Sequence, residues 1–199
     1  MKPEKFALRL SREKAAQCIK FADDVASTNE KKYAERGQTN RELIRAQNIN
    51  GKLAEEVVYN AYSPYYPGIS LPDYQIYDKR EKSYREDLID SNSDIKIAVK
   101  SKDIKWAQQY GESWIFGTKD KKSFGKEIDP NQYVCCVVID RAQLRGIILA
   151  CVKLKWIHEN NLFEAPDRAS DERIALRYDS MLKVVRDESE LWQLKCSIQ

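Results

Sequence analysis

The sequence predicts a mixed α/β (α+β) protein with one central sheet flanked by helices, and three features of the pattern support this fold class. Apolar residues recur with helical spacing over the first 62 residues. After residue 72 the pattern changes to the alternation that is typical of half-buried strands. Two later runs, residues 133–139 and 146–152, are continuously apolar, as in strands that are buried on both faces.

Two helices are predicted before the first strand. Residues 11–32 place alanine or isoleucine at every third or fourth position, and residues 39–62 continue with a second apolar stripe. Thr39 and Glu42 have the spacing of a capping box, so this second helix is predicted to begin at Thr39. We divide the chain into a helical N-terminal segment, residues 1–38, and a core with a C-terminal extension, residues 39–199.

The remaining elements are predicted from period-2 alternation and turn residues. Residues 91–94 (SNSD) have turn chemistry at all four positions, so the strands on either side of them are expected to form a hairpin. Beyond residue 72 the expected strands are residues 73–77, 84–90, 95–100, 113–117, 133–139, 146–152 and 173–178, with helical turns at 155–160 and 188–194.

Composition excludes several classes of protein. The chain has 199 residues, 42% of them apolar, which is enough for one hydrophobic core. It has five cysteines, without a CxxC pair, and one histidine, so zinc fingers, HNH-type nucleases and histidine-based triads are excluded. The odd cysteine count argues against a secreted disulfide framework, and no apolar run has the length of a membrane helix. We therefore expect a cytoplasmic protein whose chemistry depends on carboxylates, lysines and a hard metal ion.

Positive charge is concentrated in one stretch. Residues 96–126 contain eight lysines and three acids, a charge of +5, while the whole chain carries +3. Aromatic residues alternate with these lysines, a pattern that is typical of contact with a nucleic-acid backbone, although a solvated lysine-rich face gives the same pattern. The candidates for phosphate contact are Lys102, Lys105, Lys119, Lys121 and Lys122, and the amides of Gln108 and Gln109 are candidates for reading adenine.

The expected hairpin brings three chemically relevant positions together. If Asp90 pairs with Ile95 across the turn, Asp87 lies opposite Ala98, and both side chains are on one face. Lys100 follows two residues along the same face. We therefore expect Asp87, Ala98 and Lys100 to converge, provided that the register is right, because a slip of one residue moves a side chain to the other face.

Residues 51–56 (GKLAEE), 86–88 (EDL) and 97–101 (IAVKS) resemble the PD-(D/E)XK nuclease superfamily, over about residues 50–152. The resemblance implies a restriction-endonuclease-like fold in which Asp87 is a metal ligand and Lys100 orients or activates the attacking water. The carbonyl of Val99 would be a further ligand. A helical acid, Glu55 or Glu56, would complete the site. A helical wheel does not distinguish between these two residues, and the family pattern favours Glu55. The implied cofactor is Mg²⁺, with Mn²⁺ as a substitute.

One position departs from the family pattern. The second acid of the motif belongs at residue 98, where this chain has alanine, which has no metal-binding group. Either a Glu or Asp was replaced there to inactivate a nuclease, which we favour, or the chain is a natural pseudonuclease. The chain as it stands is expected to be inactive or severely impaired.

The resemblance implies a metal-dependent DNA endonuclease, most similar to a type II restriction enzyme, that acts on double-stranded DNA as a homodimer. A homing or phage nuclease, a junction resolvase and an RNA-processing nuclease would have nearly the same site. A non-catalytic DNA-binding pseudonuclease is the alternative outside enzymes.

Three other motifs offer weaker alternatives. Asp94-Ile95-Lys96 is a literal D-x-K that would keep every acid, although Asp94 is expected in the turn. Pro72-Asp73 is a literal PD without a following D/E-x-K at hairpin distance, so it is interpreted as the start of a strand. Cys135 and Cys136 are expected to be core residues rather than nucleophiles.

Overall fold

The computed structural model describes residues 6–28, 33–34, 37–77, 86–116, 128–164 and 174–194. In chain order the described elements are β1 (Phe6–Arg9), α1 (Arg12–Thr28), α2 (Arg41–Tyr62), β2 (Leu88–Asp90), β3 (Ile95–Asp103), α3 (Ile104–Tyr110), β4 (Ser113–Phe116), β5 (Gln132–Asp140), β6 (Arg145–Lys153), α4 (Leu154–Glu159), β7 (Phe163–Glu164), β8 (Ile174–Arg177), α5 (Tyr178–Val184) and a 3-10 turn (Glu188–Leu191). Within the described part of the chain, no helix is long and apolar enough to cross a membrane.

A mixed five-stranded sheet forms the centre of the fold, in the order β1-β6-β5-β3-β2. The β3–β5 pair is parallel and the other pairs are antiparallel. A second, antiparallel sheet has the order β4-β8-β7. The predicted class, mixed helices and strands around a central sheet, is therefore confirmed.

The central sheet is covered on both faces, which explains the apolar character of β5 and β6. On one face, α1 and α2 pack against odd-numbered residues of β3 and β5, such as Ile97 and Cys135. On the other face, β4, β8, α3, α4 and α5 pack against even-numbered residues such as Cys136 and Val138. Alternate residues of one strand therefore belong to two different cores, and this alternation decides which side chains of β3 reach a common site.

Most predicted elements of the core are confirmed, with shifts at their ends. The second helix begins at Arg41 rather than at Thr39, because the N-cap is Asn40, whose side-chain oxygen accepts a hydrogen bond from the Leu43 amide at 3.0 Å. The strand predicted for residues 73–77 is wrong: these residues are irregular, and the Asp73 carboxylate accepts from the Gln75 amide at 2.8 Å. Such a local bond competes with a strand ladder.

Four elements were not predicted, and one of them is the two-residue strand β7. β1 lies in the segment expected to be helical, residues 1–38, and adds a fifth strand to the central sheet by pairing with β6. The short helices α3 and α5 were also missed. Each has only seven residues, too few for a helical period to be read from the sequence.

Gly146 allows α2 to approach the sheet closely. A Cβ atom at this position would lie 2.5 Å from Cγ2 of Val57, which is fully buried in α2. We expect Gly146→Ala to lower the free energy of unfolding by about 1–3 kcal/mol, the usual cost of overpacking a rigid core. Urea unfolding measures this change. Val57→Ala in the same chain should recover part of the loss, and a double variant no better than Gly146→Ala would contradict the packing explanation.

Candidate active site

The β2–β3 hairpin has the predicted register. Asp90 pairs with Ile95 and Leu88 with Ile97, around a turn at residues 91–94. Continuing this register by one residue places Asp87 opposite Ala98. The predicted register is therefore confirmed over the three pairs of β2 with β3.

Asp87 binds the edge of β3 just beyond the last β2–β3 pair. Its Oδ2 accepts a hydrogen bond from the amide of Val99 at 2.7 Å. In a strand, the N–H and C=O groups of one residue point to the same side. The carbonyl of Val99 therefore points towards the same edge as the Asp87 carboxylate, as the resemblance implied for two metal ligands.

A cavity of about 440 Å³ opens beside this edge. It is lined by α2, by the irregular segment after Ser70 and by the residues that lead into β2. Among the described lining residues, the charged ones are Lys52, Glu55, Asp73, Glu86 and Asp87. Four carboxylates and one ammonium group of the described part of the chain thus line one cavity.

Glu55 is the helical acid of this cavity. It is 8% exposed, and its Oε2 accepts from the Lys52 ammonium group at 2.6 Å. Burial raises the pKa of Glu55 to about 7; the Lys52 charge opposes this shift, and the Asp87 charge adds to it. Glu55 and Asp87 line the same cavity.

Glu56 does not line the cavity, whereas Glu55 does. The structure therefore distinguishes between the two acids, which the helical wheel could not do. It is 1% exposed, and its Oε1 accepts from the Lys14 ammonium group at 3.0 Å and from the Tyr74 hydroxyl at 2.8 Å. These bonds tie α2 to α1 and to the segment that covers the cavity. Glu56 is therefore a structural group between elements, and Glu55 is the acid available to the site.

Ala98 and Lys100 occupy even-numbered positions of β3, on the opposite face of the sheet from α2. In the parallel ladder Lys100 is paired with Cys136, a residue of the second core. The Lys100 ammonium group lies 4.8 Å from the centroid of the Phe116 ring, a cation–π contact in β4. Among the described residues that line the cavity, neither Ala98 nor Lys100 is present.

The expected convergence of the predicted catalytic set is therefore wrong: the set falls into two groups on opposite sides of β3. Glu55 and Asp87 share the cavity on the α2 side. Ala98 and Lys100 project towards the β4 side, and the Asp87 carboxylate lies against the peptide between residues 98 and 99. The extended hairpin register places Asp87 opposite Ala98, but it could not show that the Asp87 carboxylate binds the backbone of β3.

Four of the predicted DNA contacts lie on or near α3. Lys105, Gln108 and Gln109 are exposed on this helix. Lys102 is half-buried, and its ammonium group donates to the Ser113 hydroxyl at 2.9 Å. Burial lowers the pKa of Lys102, and the charge of Arg177 adds to this effect. Lys119, Lys121 and Lys122 lie outside the described residues.

The alternative D-x-K motif, Asp94 to Lys96, does not converge on the cavity. Asp94 is an exposed turn residue with a φ of 54°. The Lys96 ammonium group binds the Asp129 carboxylate at 2.6 Å, and this bond raises the pKa of Lys96. The Lys96 ammonium group also donates to the Asp94 carboxylate at 3.4 Å, so both groups of the alternative motif make contacts at the turn end of the hairpin.

Asp73 is a cavity residue that the sequence reasoning set aside. It lines the same cavity as Glu55 and Asp87, and its negative charge contributes to the raised pKa of Glu55. Its own carboxylate accepts from the Gln75 amide and from the Tyr77 hydroxyl at 2.5 Å. The Pro72-Asp73 dipeptide was the signal in the sequence for this residue. It was interpreted as the start of a strand, whereas Asp73 lines the cavity.

The described residues do not by themselves form a full set of metal ligands. No group of three or more His, Cys, Asp or Glu side chains in the described part of the chain is arranged to hold a metal ion. Asp87, Glu55 and the Val99 carbonyl are oxygen donors of the type that Mg²⁺ prefers. Glu55 is already bound by Lys52, and position 98 has no carboxylate. The site as it stands therefore does not fit a tightly held divalent cation.

No protein-family model, curated protein or solved structure matches this chain. A functional argument for this protein must therefore depend on its own residues and their geometry.

Proposed function

We propose that this chain is a PD-(D/E)XK-type, Mg²⁺-dependent DNA endonuclease, most similar to a type II restriction enzyme, whose site is inactive because residue 98 is alanine. The observation that carries the proposal is the contact of the Asp87 carboxylate with the Val99 amide at the open edge of β3. It places a carboxylate and a strand carbonyl at one edge, beside a cavity that contains a second carboxylate, Glu55.

The chemistry of phosphodiester hydrolysis accounts for these residue types. A bound Mg²⁺ would neutralise charge on the phosphate and lower the pKa of the attacking water. In this chain, Asp87 and the Val99 carbonyl are the groups proposed to hold the cation, with Glu55 beside them and a carboxylate missing at position 98. Lys100 is the lysine proposed to orient the water, from the opposite side of the β3 edge.

Features outside the cavity support DNA as the substrate. Lys105, Gln108 and Gln109 are exposed on α3, which directly follows the proposed catalytic strand. An ammonium group there can contact phosphate, and amide side chains can bond to base edges. A homodimer would present two such sites, one to each strand of a duplex.

The test is plasmid cleavage with Mg²⁺ by the Ala98→Glu variant. We expect the variant to cut supercoiled DNA and the present chain to leave it intact, because the extended hairpin register would put a carboxylate at residue 98 opposite Asp87. Ala98→Gln is the matched control: it has nearly the same size and no charge, and it should remain inactive.

The products and the binding behaviour separate the alternatives. Discrete bands from the Ala98→Glu variant would support restriction-type specificity. If Ala98→Glu binds DNA with the affinity of the present chain and cuts none, the nuclease proposal is wrong and a DNA-binding pseudonuclease is favoured. Cleavage by the present chain would contradict the role given to position 98.

A further inference from the structure

The outward face of α3 presents two aromatic rings to solvent. Trp106 is 52% exposed and Tyr110 is 45% exposed. The two residues are about one helical turn apart, so their side chains are neighbours, and their ring centroids lie 6.0 Å apart in an edge-to-face arrangement. Aromatic side chains gain more from burial than most others, so a pair of rings that remains in contact with water indicates a surface for a partner.

The polar residues of α3 indicate the charge of this partner. Lys105 and Gln109 are exposed on the same helix, which contains no acidic residue. The carboxylate of Asp103, at the N-cap, is already bound by the Arg141 guanidinium group at 2.9 Å. The surrounding stretch, residues 96–126, carries a charge of +5. A positive surface with amides and aromatic rings suits an anionic polymer that has flat bases, which describes a nucleic acid.

The size of the surface favours a base over a protein as the group that covers the rings. A stable protein–protein interface buries about 800 Å² on each partner, and two rings on a seven-residue helix supply much less. Every nucleobase has a flat π-face on which an aromatic ring can stack, whatever the sequence. In an intact duplex these faces are covered by the neighbouring bases, so the base must be unpaired or unstacked.

The position of α3 relates this surface to the proposed nuclease site. The helix directly follows β3, whose edge binds the Asp87 carboxylate at the Val99 amide. Ile104, the first residue of α3, is five residues beyond Val99, about 17 Å along an extended strand. This length corresponds to about five nucleotides of a stacked strand. One DNA molecule can therefore reach both places.

We propose that α3 binds an unpaired nucleotide of the DNA substrate, with Trp106 and Tyr110 stacking on its base and Lys105 contacting its phosphate. The choice of DNA rests on the proposed function. The inference adds a second element to the substrate, an unpaired nucleotide a few positions from the duplex that the nuclease site would cut. It also gives a role to two rings that the chemistry of hydrolysis does not require.

The experiment measures binding of the present chain, in EDTA, to a labelled single strand of DNA, to the matching intact duplex and to the same duplex with a short gap. Fluorescence anisotropy of the label gives the Kd. We expect Trp106→Ala to weaken binding of the single strand and of the gapped duplex at least about fivefold, the loss that follows removal of one stacking ring. Binding of the intact duplex should not change.

Three further variants separate stacking from apolar contact. Trp106→Phe keeps an aromatic ring and should retain most of the affinity for the single strand. Trp106→Leu keeps an apolar side chain without a π-face and should bind as weakly as Trp106→Ala. Ile115→Ala is the matched control, because Ile115 is an equally exposed apolar residue (51%) that is not aromatic. It should bind like the present chain.

Tryptophan fluorescence reports the stacking contact itself. Trp106 is the exposed tryptophan among the four of this chain, since Trp114 is buried and Trp156 and Trp192 are half-buried. The single strand should therefore quench the fluorescence of the present chain. The quenching should be largely lost in Trp106→Phe, although this variant still binds.

Equal losses of affinity for the intact duplex and for the single strand in Trp106→Ala would overturn the inference, and so would Trp106→Leu binding like the present chain. Tighter binding of the matching RNA strand than of the DNA strand would overturn the choice of DNA. The proposed function is tested separately by cleavage with Ala98→Glu. Stacking at Trp106 without cleavage by Ala98→Glu would contradict the nuclease proposal alone, and cleavage without stacking would contradict this inference alone.

Discussion

In a chain with Ala98→Glu, we expect Asp87→Asn to lower the rate of Mg²⁺-dependent DNA cleavage by about 10²–10³-fold, the usual cost of removing one charge-stabilising group from an active site. Asparagine keeps the size of the side chain and an oxygen that can accept from the Val99 amide. It loses the negative charge that a cation at the β3 edge requires. The rate is measured as the conversion of supercoiled plasmid under single-turnover conditions.

Asp73→Asn in the same chain is the matched control. Asp73 lines the cavity, but its carboxylate is engaged by the Gln75 amide and the Tyr77 hydroxyl. We expect its replacement to change the cleavage rate by less than about tenfold. Equal losses for Asp87→Asn and Asp73→Asn would contradict the assignment of Asp87 as the principal acid of the edge.

The second large effect is on stability and depends on pH. Burial raises the pKa of Glu55 from 4.5 to about 7. The folded state therefore holds this proton more tightly than the unfolded state, and ionisation of Glu55 costs stability as the pH rises above 4.5. The cost grows up to about pH 7 and is constant above it. Each pKa unit corresponds to about 1.4 kcal/mol, so the full cost is roughly 3 kcal/mol.

Glu55→Gln removes this pH-dependent cost. We expect the difference in free energy of unfolding between Glu55→Gln and the present chain to increase, in favour of the variant, by roughly 3 kcal/mol between pH 4.5 and pH 8. Urea unfolding at the two pH values measures it. Glu42→Gln, at an exposed position in the first turn of the same helix, is the control. It shows how much a solvated carboxylate contributes to the pH dependence of the free energy of unfolding. A difference for Glu55→Gln that is the same at both pH values would rule out a raised pKa.

The hairpin was the most predictable part of the site, because a four-residue turn with suitable side chains fixes the register of both strands. Extended by one residue beyond the observed pairs, that register places Asp87 opposite Ala98. Alternation could not predict that β2 begins only at Leu88, so that Asp87 lies outside the strand and its carboxylate binds the backbone of β3. Outside a strand, the side chain is no longer required to point to one particular face of the sheet.

The cavity lining was less predictable, since it depends on tertiary packing. Glu55 and Glu56 flank one apolar stripe, and only the position of α1, which supplies Lys14, shows that Glu56 is used between helices. Lys52 was overlooked because a lysine on a helix is usually solvated. Its ammonium group lies near the rings of Phe21 and Tyr74, two residues that are far from it in sequence and that only the tertiary fold brings there.

The pairing of β1 with β6 has a consequence for the order of events during synthesis. Phe6–Arg9 leaves the ribosome about 135 residues before its partner Arg145–Lys153. Until the two meet, β6 has one unpaired edge along a strand that is apolar on both faces, which is a hazard for association with other chains. Closing so long a loop is slow, so we expect α1 and α2 to pair early and the sheet to be completed last.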